Sequence, residues 1–103
     1  MSVVMEFAIF PTDKGEKLSK YVSNVIKMID ESGFNYKLNP MGTVIETDTM
    51  PQALELLSKA YKVLESDCDR VYLTAKFDLC KSKTNLMDSK ISAVKDNIGE
   101  VRT

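Results

Sequence analysis

The order of hydrophobic periodicities along the chain predicts an α+β fold: a ferredoxin-like βαββαβ antiparallel sheet with helices on one face, plus a C-terminal helix. Three observations carry this. Period-two alternation marks extended segments near the start, middle and end of the chain, and stripes of period 3.6 mark helices between them. Short connections then leave an antiparallel sheet with both intervening helices on one side as the natural packing.

The first strand spans Val3 to Phe10, with Met5, Phe7 and Ile9 on one side and Val4, Glu6, Ala8 and Phe10 on the other. Pro11, Thr12, Asp13 and Gly15 form a loop. Leu18, Tyr21, Val22, Val25, Ile26 and Ile29 then repeat at helical spacing up to Ser32-Gly33, where glycine suits a left-handed cap. Phe34 to Thr47 reads as extended chain interrupted at Pro40-Met41-Gly42, either a hairpin or one long strand broken by a bulge.

Thr49 is placed to cap a second helix with Pro51 in its first turn and Ala53, Leu54, Leu57, Ala60, Tyr61 and Leu64 as its apolar stripe. Arg70 to Cys80 is the cleanest strand, Val71, Leu73, Ala75, Phe77 and Leu79 forming a core face. Ile91, Val94, Ile98 and Val101 lie on one narrow stripe of the tail, predicting a third helix that docks late or against a partner subunit.

Length and composition narrow the function. A chain of 103 residues with 44% hydrophobic content is read as one domain, residues 1–103. Its 14 basic and 15 acidic residues give a net charge of −1, so no strong field recruits nucleic acid or an anionic membrane. Met1 to Phe10 contains Glu6 and lacks a basic leader, and no run of about 18 apolar residues occurs, so the expected location is cytoplasmic.

No histidine is present, which removes the commonest general base near neutral pH, and Cys68 and Cys80 have no CxxC spacing, so they read as ordinary thiols. Neither a calcium-loop cluster nor a phosphate-binding glycine motif is found; Gly42 reads as a turn or bulge residue, and most methionines as core filler. The expectation is therefore a protein without cofactor or metal that is not an enzyme.

With helices covering one face of the sheet, the other face carries Val4, Ala8 and Phe10 beside Glu6, Glu46, Lys76 and Asp78. Glu6, Glu46 and Asp78 come from three strands and are expected to converge there. They form either a polar pocket that orients a small molecule or ion pairs across a subunit interface.

The segment from Phe34 through Pro40-Met41-Gly42-Thr43-Val44-Ile45-Glu46 resembles the small thiamine-binding proteins of the YkoF-like family. The proline-ended first strand, the helix bearing Ser19-Lys20-Tyr21-Val22, the strand Arg70 to Asp78 and the tail around Lys90 extend the resemblance over nearly the whole chain. It implies open sheet faces packed into homodimers or homotetramers, with thiamine or a related aminopyrimidine as ligand between or beside the strands. Met41, Gly42, Thr43 and Glu46 match the family's strand motif, Ser19 the start of its first helix and Asp78 an acidic position on the last strand.

Chemically, Glu46 or Asp78 suits the cationic thiazolium or the amino donor, Thr43 or Asn39 the hydrogen-bonding edge, and Phe10 or Tyr36 stacking. Thr47-Asp48 stands where the family pattern leads one to expect glycine. The alternative function is a structural or regulatory homo-oligomer without a small-molecule ligand.

Overall fold

A computed structural model describes residues 1–103. Strand β1 (Ser2–Pro11) sends Val3, Met5, Phe7 and Ile9 into the core, as its alternation requires. Helix α1 (Ser19–Glu31) lays Val25 and Ile29 on it and ends where Gly33 takes a φ of +81°, the left-handed conformation that glycine adopts without penalty.

The interrupted extended region is a hairpin. β2 (Asn35–Asn39) pairs with β3 (Gly42–Thr47) across a two-residue turn at Pro40-Met41, in which the Asn39 side-chain oxygen accepts from the Met41 N–H at 3.0 Å. The turn itself uses no left-handed residue. Gly42 answers a different demand, because a Cβ there would lie 2.9 Å from the Phe7 carbonyl oxygen on β1.

Helix α2 (Met50–Glu65) starts with a complete capping box: the Gln52 N–H donates to Thr49 Oγ1 at 3.3 Å, and the Thr49 N–H donates to Gln52 Oε1 at 3.0 Å. Thr47 and Asp48 are wired into the same start. The Thr47 hydroxyl donates to the Thr49 carbonyl at 2.9 Å and the Asp48 N–H to Gln52 Oε1 at 3.0 Å, which accounts for polar residues where glycine was expected.

The buried line of α2 is Ala53, Leu56, Ala60 and Leu64. Leu54 and Tyr61, expected in the stripe, sit one position further round the helix and are about half exposed.

The sheet order is β2-β3-β1-β4, antiparallel throughout, with β4 (Val71–Cys80) matched to β1 from Ser2 opposite Cys80 to Pro11 opposite Val71. One core of 12 buried residues lies between the sheet and α1 and α2, and full burial of a side chain such as Met5 or Ile45 contributes about 1.5–3 kcal/mol.

The expected core face of β4 is only half realised. Val71 and Phe77 pack against the core, but Leu73 and Leu79 remain exposed, because β4 is an edge strand that α1 does not cover. Helix α3 (Leu86–Ile98) lies against β1 and β3, and its Leu86 and Met87 are buried.

Gly42→Ala drives a methyl group into the β1 backbone. It is expected to lower unfolding stability by about 1–3 kcal/mol in a urea titration, the usual range for overpacking.

Candidate functional site

Even-numbered positions of β1 and β4 share the face away from α1 and α2, and α3 divides that face in two. At one end Glu46 of β3 is the organising group. Its carboxylate accepts from the Leu86 and Met87 N–H groups, each at 3.0 Å, and from the Ser2 hydroxyl. The first N–H groups of a helix have no partner within it, so this carboxylate supplies them from another element and places negative charge at the positive end of α3.

Burial acts to raise the Glu46 pKa, but the Ser2 hydroxyl and the Met87, Leu86 and Asn85 amides outweigh it and hold the carboxyl below its ordinary range. Beside it, Asp78 of β4 accepts from Lys90 of α3. The face that the sequence left bare is thus partly closed by the chain's own C-terminal helix.

The other end is open. Glu6 and Lys76, adjacent on β1 and β4, form an ion pair at 3.1 Å, with side chains 41% and 81% exposed. They line a shallow groove of about 190 Å³ with Ala8, Thr74 and Met41. Nearby, Phe10 stacks on Tyr72 with ring centroids 5.7 Å apart.

The pairing of β1 with β3 stops at Phe7 opposite Thr43, so beyond it β1 has a neighbour on the β4 side only. A second cleft of about 230 Å³ opens there, lined by Leu18, Val22, Leu38, Asn39, Met41 and Thr43 among others. The groove and the cleft share Phe7, Ala8 and Met41.

The structure therefore sorts the seven residues singled out from sequence. Asn39, Met41, Gly42 and Thr43 come together at the cleft. Ser19 stands exposed at the start of α1, next to Leu18 but outside the lining. Glu46 and Asp78 lie at the far end, where Glu46 holds the start of α3 and Asp78 pairs with Lys90. Glu46 is four residues along β3 from Gly42, roughly 13 Å at the rise of a strand.

Of the three carboxylates expected to converge, only Glu6 lines the groove; it lies on the face away from α1, as its even position on β1 requires, whereas the cleft reaches the α1 side through Leu18 and Val22. Leu18 and Val22 were legible only as helix core. Tyr36, considered for stacking, donates its hydroxyl to Asp30 at 2.7 Å and packs against the core; Phe10 does lie on the open face. No three His, Cys, Asp or Glu side chains stand where they would hold a metal ion, and no helix is long and apolar enough to cross a membrane.

Sheet order, helix placement and an added third helix define a ferredoxin-like α+β protein with a half-covered sheet face. The chain belongs to the family described as thiamine-binding protein, which it matches over residues 5–95.

It is 35% identical over 92 residues to a UPF0045 protein of Methanocaldococcus jannaschii, covering 89% of this chain and 91% of that one. The crystal structure of that archaeal protein superposes with a TM-score of 0.83, covering 92% of this chain and 97% of the other. A UPF0045 protein of Mycobacterium bovis is 29% identical over 94 residues, covering 91% and 92%. At 18% identity, a candidate thiamine biosynthesis or salvage protein of Thermotoga maritima shares the fold, with a TM-score of 0.79 over 91% of this chain and 99% of that one.

A carboxyl held at depressed pKa in the folded state stabilises α3 docking above the ordinary glutamate value of about 4.3, and that contribution is lost as pH falls through the folded value. Glu46→Gln removes the charge and one acceptor at every pH. It is expected to cost about 1 kcal/mol, the usual loss for a helix cap, and to speed amide exchange at Leu86 and Met87 first; unchanged exchange there would show that α3 is held by other contacts.

Proposed function

We propose that the protein binds a small heteroaromatic cation of thiamine type, without transforming it, where the groove and the cleft meet at Met41. The observation that carries this reading is the pairing of an apolar cleft bearing an amide and a hydroxyl with an acidic groove, both opening around the same stretch of β1. Each volume is below the roughly 300 Å³ at which ligand sites usually begin, so each accommodates one ring.

A two-ring ligand then lies across Met41. The Asn39 side-chain oxygen is already used by the Met41 N–H, which leaves its NH₂ group to donate to a ring nitrogen of an aminopyrimidine, while the Thr43 hydroxyl accepts from the amino group. The cationic ring faces Glu6. An exposed ion pair is worth about 0–1 kcal/mol, so Lys76 gives way to a ligand cation at small cost.

Membership of a family named for thiamine binding supports this ligand class, as does the Thermotoga neighbour linked by name to thiamine biosynthesis or salvage. Binding is favoured over catalysis because the ionisable groups of the groove, Glu6 and Lys76, are engaged with each other and no third group is placed to act with them.

Calorimetric titration is expected to give saturable heat with thiamine and with hydroxymethylpyrimidine. Glu6→Gln should weaken thiamine about tenfold, or 1.4 kcal/mol, while leaving the uncharged pyrimidine nearly unchanged; Asn39→Ala should weaken both. No heat and no thermal shift at millimolar ligand would remove the proposal.

A further inference from the structure

The pairing registers set four side chains in one row across the sheet, on the face away from α1 and α2. Lys37 of β2 stands opposite Val44 of β3, Val44 opposite Glu6 of β1, and Glu6 opposite Lys76 of β4. Two cations thus flank one anion. Lys76 is paired with Glu6, whereas Lys37 takes part in none of the chain's four ion pairs.

A ligand that brings only a cation leaves this row out of balance. Its positive ring takes Glu6, which strips Lys76 of its partner and leaves two positive charges side by side. An anionic group on the same ligand, set beyond the ring, reverses both effects. We infer that the site takes a phosphomonoester of the thiamine-type cation, with the phosphate held by Lys76 and Thr74; this rests on the proposal that the cationic ring faces Glu6.

Thr74 and Lys76 are two residues apart on β4 and both line the groove, with their Cα atoms ~7 Å apart at the rise of a strand. Lysine offers three donors on a mobile stem and threonine one hydroxyl. A phosphomonoester meets them with three acceptor oxygens and a charge of about −1.5 to −2 at pH 7. On the other side of Lys76, the next residue of that face is Asp78, an acid bonded to Lys90, so the phosphate lies towards Thr74.

The strand order β2-β3-β1-β4 then presents the groups in sequence: Asn39 and Thr43 for the uncharged ring, Glu6 for the cation, Lys76 for the anion. Such a ligand carries its own groups in the same order. Lys37 stands two strands from Glu6 on the opposite side, roughly 10 Å by strand spacing, and contributes field but no contact.

Calorimetric titration at low salt with thiamine, thiamine monophosphate and inorganic phosphate tests this. The monophosphate is expected to bind about fivefold tighter than thiamine, the upper range for an exposed ion pair, with the margin shrinking as salt is raised. Inorganic phosphate should bind far more weakly than the ester. Lys76→Gln should act in opposite directions on the two ligands, weakening the monophosphate about fivefold while thiamine binds as tightly or tighter, because Glu6 then has no competing cation. Lys37→Gln removes the same charge and should change either affinity less than about twofold.

If thiamine binds and the monophosphate binds no tighter, or Lys76→Gln weakens both alike, the inference falls while the thiamine-type site stands. Equal effects of Lys37→Gln and Lys76→Gln, or inorganic phosphate binding as tightly as the ester, would also overturn it. If neither thiamine nor its phosphate binds, the site and the inference fall together.

Discussion

The Glu46 carboxylate ties α3, through the Leu86 and Met87 amides, to the paired strands β3, which carries it, and β1, whose Ser2 hydroxyl donates to it. A helix whose apolar stripe is as thin as that of α3 gains little from packing along its length, since Val94 and Ile98 remain exposed. Its position is therefore set mainly at its N-terminus, where unsatisfied N–H groups meet a fixed negative charge. Release that contact and the sheet face loses the cover that gives it two unlike ends.

That division matters for function because it separates acidic groups by task. Glu46 and Asp78 are used to hold α3, which leaves Glu6 as the carboxylate on open ground beside the cleft. The hairpin tip completes the arrangement: Gly42 lets β3 approach the β1 backbone, Asn39 fixes the Met41 turn, and β3 ends early enough to leave one side of β1 unpaired. The same economy of coverage leaves β4 bare along its outer side, so cleft and strand edge both arise where three helices are too few to enclose four strands.

The fold was largely legible in the sequence because its signals are local. Alternation at Val3–Phe10, the Thr49 cap with Pro51 behind it, and the stripe of α1 each specify an element without reference to the rest. Cover is not local. Leu73 and Leu79 alternate as core residues do, and only the sheet order, which places β4 outermost, shows why they stay exposed.

The site was half legible for the same reason. Asn39 to Thr43 are contiguous and arrive together, whereas Glu46 and Asp78 could not be assigned to α3 from a pattern that shows residue type and strand face but not which end of the face a distant helix occupies.

Backbone amide chemical shifts followed during a thiamine titration test the division of the sheet face most directly. The account predicts shifts concentrated at Ala8, Asn39 to Thr43 and Lys76, with Leu86, Met87 and the strand around Glu46 little changed. Shifts centred instead on Leu86, Met87 and Glu46 would place the ligand under α3 and contradict the separation of the two ends.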